Sequence, residues 1–181
     1  MNHGAKRNDA SAWAAVHEGD YWPMIWAIAP STRVSGAYTI QTTKANDDSG
    51  QVAGWGLSSW NAHGAKRNGG SSRVATHDGN YWLMDWNIEE STRTPGTYTI
   101  KTTHHGGGNQ PAGWGLAAWQ KHGGHRNGAS SWTYTHVGDH WLMDWKIEKT
   151  SCGSETADAP YICGASEGST CNGCVLSLIH I

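Results

Sequence analysis

Phenylalanine is absent from this chain of 181 residues, whereas 12 tryptophans and 6 tyrosines are present. Tryptophan and tyrosine join a large apolar face to a polar group, so they suit half-exposed positions as well as a core. Apolar runs are short, and none approaches the roughly 18 residues of a membrane-spanning helix. Basic residues number 13 against 15 acidic ones, which gives no sign of the basic surface that binds nucleic acid. The sequence therefore predicts neither membrane insertion nor nucleic-acid binding.

Signature motifs of enzymes are also missing. The sequence has no G-x-S-x-G motif, no P-loop, no G-x-G-x-x-G in a βαβ context and no H-E-x-x-H zinc helix. A glycosidase needs two facing carboxylates, and a repeated site rarely carries such a unique pair. We therefore expect no catalysis by this segment, no cofactor and no metal site.

One segment of the sequence occurs almost three times. His3, His63 and His122 occupy equivalent positions and mark a period of about 60 residues. Such a period is typical of architectures whose copies bury one common core. The repeat domain at residues 1–148 consists of a partial repeat at 3–36 and of repeats at 37–95 and 96–148.

Each full repeat contains four short segments with the pattern of β-strands. In the last repeat these segments begin at Tyr98, Gly113, Ser130 and Trp141. Strand-favouring residues alternate with polar ones at a period of two, and the connections are rich in glycine and asparagine, as turns are. The sequence thus predicts an all-β protein with no substantial helix. The recurring tryptophans of the fourth segment are expected to pack in its core; they are Trp26, Trp86 and Trp145.

The two ends of the repeat resemble those of the β-trefoil family, the fold of ricin-type lectin modules. The segment Gly96-Thr-Tyr98-Thr-Ile100 is similar to the G-x-Y-x-I-like strand that opens the family's repeat. The segment Met143-Asp-Trp145-Lys-Ile147 is similar to its closing Q-x-W-x-I-like strand, with methionine in place of glutamine. The resemblance covers roughly residues 3–148 and implies a β-trefoil-like array of three repeats.

The two halves of the repeat occur in different numbers. The hairpin of the third and fourth segments occurs three times, but that of the first and second occurs twice. A closed trefoil needs three of each, so the first repeat lacks its leading hairpin. We expect this hairpin upstream of Met1, which makes the chain a fragment of a longer protein. The tail after Lys149 is not expected to supply it.

All four cysteines lie in a tail or linker at residues 149–175 that is rich in glycine, serine and threonine. They are the candidates for disulfides: Cys152, Cys163, Cys171 and Cys174. Such a cluster is typical of a secreted protein, so we expect an extracellular location, although no signal peptide is visible. Three pairings are open, and zinc binding through Cys171-x-x-Cys174 is the alternative.

The last six residues, 176–181, have the sequence Leu-Ser-Leu-Ile-His-Ile. This sequence resembles the translation of a transposase adaptor that is used in sequencing libraries. We therefore expect residues 176–181 to be an adaptor artefact.

The turn H-G-x-x-R-N is the most distinctive feature of the repeat. Its side chains supply directional hydrogen bonds for hydroxyls or carboxylates, although they also suit a purely structural turn. A second feature is a position that holds tryptophan in two copies and arginine in the middle copy, an exchange that indicates exposure. The aspartates of the fourth segment are predicted to face outward, where they could accept hydrogen bonds from vicinal hydroxyls. Histidines that end the third segment could join either network; they are His17, His77 and His136. The candidate carbohydrate-binding residues are Arg7, Asn8, Trp13, His63, Arg67, Asn68, Arg73, Asp85, His122, Arg126, Asn127, Trp132 and Asp144.

These features favour a lectin-like, carbohydrate-binding module with weak repeated sites, whose partner is a glycan. One alternative is a structural or protein-interaction β-trefoil without a sugar site. A second alternative is the targeting module of a secreted hydrolase whose catalytic domain lies elsewhere in a longer chain.

Overall fold

The computed structural model describes residues 6–8, 11–17, 25–43, 54–59, 66–68, 71–79, 84–103, 112–118, 125–127, 130–138, 143–152 and 174–180. These residues form fifteen strands, which pair antiparallel, and no helix. The prediction of an all-β protein is therefore confirmed for this part of the chain. Within these ranges, no helix is long and apolar enough to span a membrane. The strands are β1 (Lys6–Asn8), β2 (Ser11–Trp13), β3 (Ala15–His17), β4 (Ile25–Pro30), β5 (Tyr38–Thr42), β6 (Gly56–Ser59), β7 (Lys66–Asn68), β8 (Ser71–His77), β9 (Asp85–Glu90), β10 (Tyr98–Thr102), β11 (Gly115–Ala118), β12 (His125–Asn127), β13 (Ser130–His136), β14 (Asp144–Cys152) and β15 (Cys174–His180).

Six of the strands form a nearly closed antiparallel sheet, which we call the ring. Their order is β4, β5, β9, β10, β14 and β15, and β15 pairs in turn with β4. The hairpins β4–β5 and β9–β10 join the end of one repeat to the start of the next over five paired positions each. The contacts β5–β9 and β10–β14 lie within one repeat and have only two paired positions each. An arrangement of this kind leaves few unpaired strand edges.

Tryptophans of the fourth strands fill the core, as the alternating pattern predicts. Trp86 is 0% exposed and Trp145 is 2% exposed, which confirms the prediction for both, and Trp26 packs against the same core while partly buried. The indole N–H of Trp86 donates to the carbonyl of Leu57, and that of Trp145 donates to the carbonyl of Leu116, both at 2.9 Å. The polar atoms of these two side chains, Trp86 and Trp145, are therefore satisfied inside the core. The other buried members of this core are Ala14, Ile28, Ile40, Leu57, Val74, Ile100, Leu116 and Ala118.

The third strands of the three repeats pair with one another in a triangle, which we call the cap. β2 pairs with β8, β8 with β13, and β13 with β3, while Ala14 separates β2 from β3. The amide of Ala14 donates to the carbonyl of Val74 at 3.0 Å, and the amide of Thr133 donates to the carbonyl of Ala14 at 3.1 Å. Ala14, Val74 and Thr133 are equivalent in the repeat and all are buried. The three strands therefore meet around one position, used once by each repeat.

Two glycines of the second strands adjoin methionines of the fourth strands. A β-carbon at Gly56 would overlap the thioether of Met84, and a β-carbon at Gly115 would overlap that of Met143. Both methionines are 1% exposed, so a close-packed interior surrounds them. Each of these glycines therefore marks a close approach, and the approaching group is a methionine side chain.

The tail contributes the last strand of the ring, which differs from the expectation drawn from the sequence. Leu176 of β15 pairs with Trp26 of β4, just as Tyr38 of β5 pairs with Trp86 of β9. β15 therefore takes the place of the first strand that the partial repeat lacks. Residues 176–179 of this strand are Leu-Ser-Leu-Ile. Apolar and β-branched residues suit a strand, although most of β15 lies in the adaptor-like segment 176–181. The sequence predicts that the tail does not supply the missing hairpin, and this prediction is wrong for the first strand of that hairpin, whose place β15 takes.

We expect Gly115→Ala to lower the free energy of unfolding by about 1–3 kcal/mol, because the new methyl group overpacks against Met143. Met143→Ala alone is expected to cost about 2–5 kcal/mol through the cavity that it leaves. The double variant should cost clearly less than the sum, because the methyl group then enters the vacated space. Urea denaturation of the wild-type protein, the two single variants and the double variant measures this coupling. Additive losses in the free energy of unfolding would show that the Met143 side chain does not limit the space at residue 115.

Candidate functional site

Asp85 and Asp144, which the sequence predicts to face outward, are buried. Each begins the fourth strand of its repeat and is 2% exposed. The prediction is wrong because the turn that leads into each repeat packs over the carboxylate. This turn contains Ser31 to Arg33 in one case and Ser91 to Arg93 in the other.

The carboxylate of Asp85 is held by three hydrogen bonds. Nε of Arg33 donates to Oδ2 at 2.9 Å, and Nη2 of the same guanidinium donates to Oδ1 at 2.7 Å. The hydroxyl of Ser31 donates to Oδ1 at 2.6 Å. Ser31 Oγ also accepts from the amides of Arg33 and Val34, so it shapes the turn that carries the arginine. The result is a two-pronged ion pair in a fixed geometry.

The same arrangement recurs one repeat later at Asp144. Arg93 donates through Nη2 to Oδ1 at 2.5 Å and through Nε to Oδ2 at 3.2 Å. The hydroxyls of Ser91 and Thr94 add bonds of 2.7 and 3.1 Å. Burial by itself raises the pKa of Asp144, but the hydrogen bonds from Arg93, Ser91 and Thr94 and the arginine charge together hold that pKa below its ordinary 3.8.

We call each of these two groups a clasp, because it joins the turn between two repeats to the fourth strand of the second. The clasps lie beside β5–β9 and β10–β14, the contacts with only two paired positions each. Reasoning from the sequence missed Arg33 and Arg93, although the triplet Ser-Thr-Arg recurs at 31–33 and 91–93. A clasp is a structural device, and it removes Asp85 and Asp144 from the set of exposed ligand-binding groups.

The arginine and asparagine of each H-G-x-x-R-N turn lie in a short strand beside the cap. β1, β7 and β12 each pair with the start of the third strand of their own repeat, with an irregular register. Their residues from the candidate set are Arg7, Asn8, Arg67, Asn68, Arg126 and Asn127. The turn histidines His63 and His122 lie outside the described residues.

Asparagine, serine and histidine lie opposite one another in three equivalent rows, which we call the polar rows. Residues directly opposite each other in neighbouring strands lie on the same face of a sheet. In each row the asparagine and serine belong to one repeat and the histidine belongs to another. The cap therefore joins residues that are far apart in the sequence. The rows are Asn8–Ser11–His77, Asn68–Ser71–His136 and Asn127–Ser130–His17.

The position held by Trp13, Arg73 and Trp132 adjoins each polar row. It follows the serine of the row by two residues on the third strand, so it belongs to the same face of the sheet. Its cross-strand partners are Ala75, Tyr134 and Ala15, respectively. Ala75 and Tyr134 are 4% and 3% exposed, which shows that the centre of this face is covered.

His77 and His136 lie at the edge of the same face and are half-buried. Nδ1 of His77 bonds the carbonyl oxygen of Asp78, and Nδ1 of His136 bonds that of Val137, both at 2.6 Å. A carbonyl oxygen only accepts, so each of these bonds places a proton on Nδ1. Asp78 and Val137 are themselves exposed. The edge that carries the histidines is therefore more open than the centre.

The side chains of the rows and their neighbours, other than those of His77 and His136, lie outside the described part of the structure, but their residue types are those that make several kinds of contact. Asparagine and serine both donate and accept hydrogen bonds, histidine adds a ring nitrogen, and tryptophan offers an apolar face. Among the residues whose side chains the structure describes, no three His, Cys, Asp or Glu side chains are grouped to hold a metal ion.

No protein-family model, curated protein or solved structure matches this chain. A functional assignment therefore depends on the chemistry of these residues and on their placement.

Asp144→Asn is expected to lower the free energy of unfolding at pH 7 by about 3 kcal/mol, because it leaves the Arg93 charge without its partner in a buried clasp. The pKa of Asp144 is lowered in the folded protein, so its contribution to stability is complete above the unfolded pKa and is lost as pH falls through the folded one. The wild-type protein should therefore lose stability below about pH 4, and the variant should lose less. Urea denaturation at several pH values measures both effects.

Glu89→Gln is the matched control. Glu89 accepts from Nζ of Lys101 at 3.3 Å, but its side chain is 58% exposed, and such pairs contribute less than about 1 kcal/mol. Equal losses for the two variants, or an acid profile that Asp144→Asn leaves unchanged, would contradict the role of the clasp.

Proposed function

We propose that this chain is an extracellular carbohydrate-binding module of the β-trefoil type, with its sites at the three polar rows. The observation that carries the proposal is a three-fold recurrence. Asparagine, serine and histidine lie opposite one another in three polar rows of the cap, and each row adjoins a position that holds tryptophan or arginine. Hydrogen-bonding groups next to an apolar ring are what a sugar requires, since it has hydroxyls at its rim and C–H groups on its faces.

The three proposed sites differ in one residue. Two of them have tryptophan, at Trp13 and Trp132, and these sites would stack on the apolar face of a sugar ring. The middle site has Arg73, a planar cation that suits a carboxylate or a pair of neighbouring hydroxyls. We therefore propose that the tryptophan sites take neutral sugars and that the arginine site takes acidic ones.

The β-trefoil type is supported by the topology. Three repeats supply the first and fourth strands of a six-stranded ring, with β15 in one of the six places, and their third strands meet in a triangle. This three-fold arrangement of strands is the one that the resemblance to the β-trefoil family implies.

The proposal includes weak individual sites and multivalent binding. Each proposed site includes residues from two repeats, and at two of them the histidine, His77 or His136, lies at the more exposed edge of the cap, so we expect shallow sites that enclose little of a ligand. A glycan or a glycosylated surface that reaches two sites gains through effective concentration rather than through a tighter single contact.

A structural or protein-interaction module is the second candidate, and one observation favours it. Ala75 and Tyr134 are buried although they lie directly opposite Trp13 and Arg73 in the register. If the side chain of Trp13 covers Ala75, Trp13 acts as core rather than as a platform for a sugar. The two candidates differ in what the tryptophan variants do to stability.

A glycan array of neutral and acidic glycans, probed with the full chain, tests the proposal, and titration calorimetry follows the strongest ligand. Trp13→Ala and Trp132→Ala are each expected to lower apparent affinity about tenfold, and the double variant more steeply, because stacking and multivalency are both lost. Arg73→Trp should raise the affinity for neutral glycans. Glu90→Ala, an exposed residue of β9, is the control and should bind normally.

An array that shows no binding to neutral or acidic glycans would contradict the carbohydrate proposal. Normal binding by the double tryptophan variant would place the ligand elsewhere. A large fall in melting temperature for the tryptophan variants, without any glycan binding by the wild-type protein, would support the structural module.

A further inference from the structure

One junction between repeats has no clasp. In the ring, the place of Asp85 and Asp144 is taken by Ile25 at the start of β4, and the place of Arg33 and Arg93 is taken by Cys152 at the end of β14. Both partners are therefore replaced at the same junction, which lies between the third repeat and the first.

The hairpin at this junction is also built differently. β4–β5 and β9–β10 are closed by short turns, where the amide of Ser31 donates to the carbonyl of Ala37 and that of Ser91 to the carbonyl of Thr97, both at 2.8 Å. β14 and β15 instead pair from Trp145↔His180 to Cys152↔Cys174, and residues 153–173 connect them. The paired cysteines thus stand at the end of the ladder where the other hairpins have their turn.

Directly opposed residues of antiparallel strands have their Cα atoms about 4.5–5.5 Å apart. A disulfide requires a Cα separation of about 4.4–6.8 Å, so the backbone register alone meets the requirement. We propose that Cys152 and Cys174 form a disulfide that fastens β15 into the ring. This selects one of the three pairings that the sequence leaves open and assigns Cys163 and Cys171 to each other or to free thiols.

Formation of the bond is a two-electron oxidation. Both cysteines lose the proton of their S–H group, one S–S bond forms, and two electrons pass to a small disulfide such as oxidised glutathione. That oxidant breaks its own S–S bond and leaves as two thiols. An extracellular compartment supplies such an oxidant.

The disulfide would replace both devices that the other junctions use, the short turn and the ionic clasp. It closes the loop of residues 153–173 and so restricts the unfolded chain, which is the main way in which such a bond stabilises a protein. It also makes the closure of the ring dependent on redox conditions, because β15 is the strand that joins β14 to β4.

The test uses two double variants of the full chain. Cys163→Ser/Cys171→Ser keeps Cys152 and Cys174, whereas the matched control Cys163→Ser/Cys174→Ser keeps Cys152 and Cys171. After equilibration with oxidised glutathione, the first variant should have no free thiol and no glutathione adduct by mass spectrometry. Reduction should then lower its melting temperature by roughly 5–10 °C. The control should close at least about tenfold more slowly and should show little change in melting temperature.

Digestion of the unaltered chain after glutamate keeps the test independent of the variants, because Glu155 and Glu167 separate Cys152 and Cys163 from the other two cysteines. A linked pair of fragments that joins Cys152 to residues 168–181, in which tandem mass spectrometry places the bond on Cys174 and not on Cys171, supports the proposal. A Cys152–Cys163 fragment pair, a control that closes as fast as the first variant, or thiols that persist in the first variant would overturn it.

Discussion

Backbone pairing between strands that are far apart in the sequence is the constraint on which the rest of this structure depends. A ring strand has N–H and C=O groups on both sides, and each side needs a partner strand. β9 meets this need on one side with β10, its neighbour along the chain, and on the other with β5, which lies at the opposite end of the same repeat. The second contact has only two paired positions, and it is there that a buried clasp lies. The cap solves the same problem for the third strands, each of which pairs with two others.

We expect the clasps to contribute specificity more than net stability. Removing a carboxylate from water is costly, and an ion pair of this kind seldom exceeds a well-packed apolar pair in stability. Its geometry is demanding, however, because a two-pronged guanidinium fits one placement of Asp85 or Asp144 only. A slip of one residue in the register would turn these aspartates to the other face of the strand. The clasps therefore fix the register at the contacts that have the fewest backbone bonds.

Local patterns were sufficient to predict the four main strand segments of the repeat and much of the core, but not β1, β7, β12 or β15. Alternation over a few residues identified Trp86 and Trp145 as core residues, because the period of a strand is a local property. The burial of Asp85 could not be predicted in the same way, since its partner Arg33 lies 52 residues away. The polar rows and the place of β15 could not be predicted either, because the partner of a short strand depends on contacts with residues that are distant in the sequence. The position of Trp13, Arg73 and Trp132 was identified by comparing repeats, but its neighbours were not.

The hairpins β4–β5 and β9–β10 cross the boundaries of the sequence repeat. Their strands are close along the chain, so they carry the lowest loop-closure entropy in the ring and are its natural early folding units. The segment that folds as a unit is thus out of phase with the segment that is duplicated. A single duplicated copy brings the second half of one hairpin and the first half of another, and each half is complemented by the adjacent copy. Duplication of whole repeats is therefore compatible with the folding of hairpins that span two repeats. A lone repeat of this kind would be an incomplete folding unit at both of its ends.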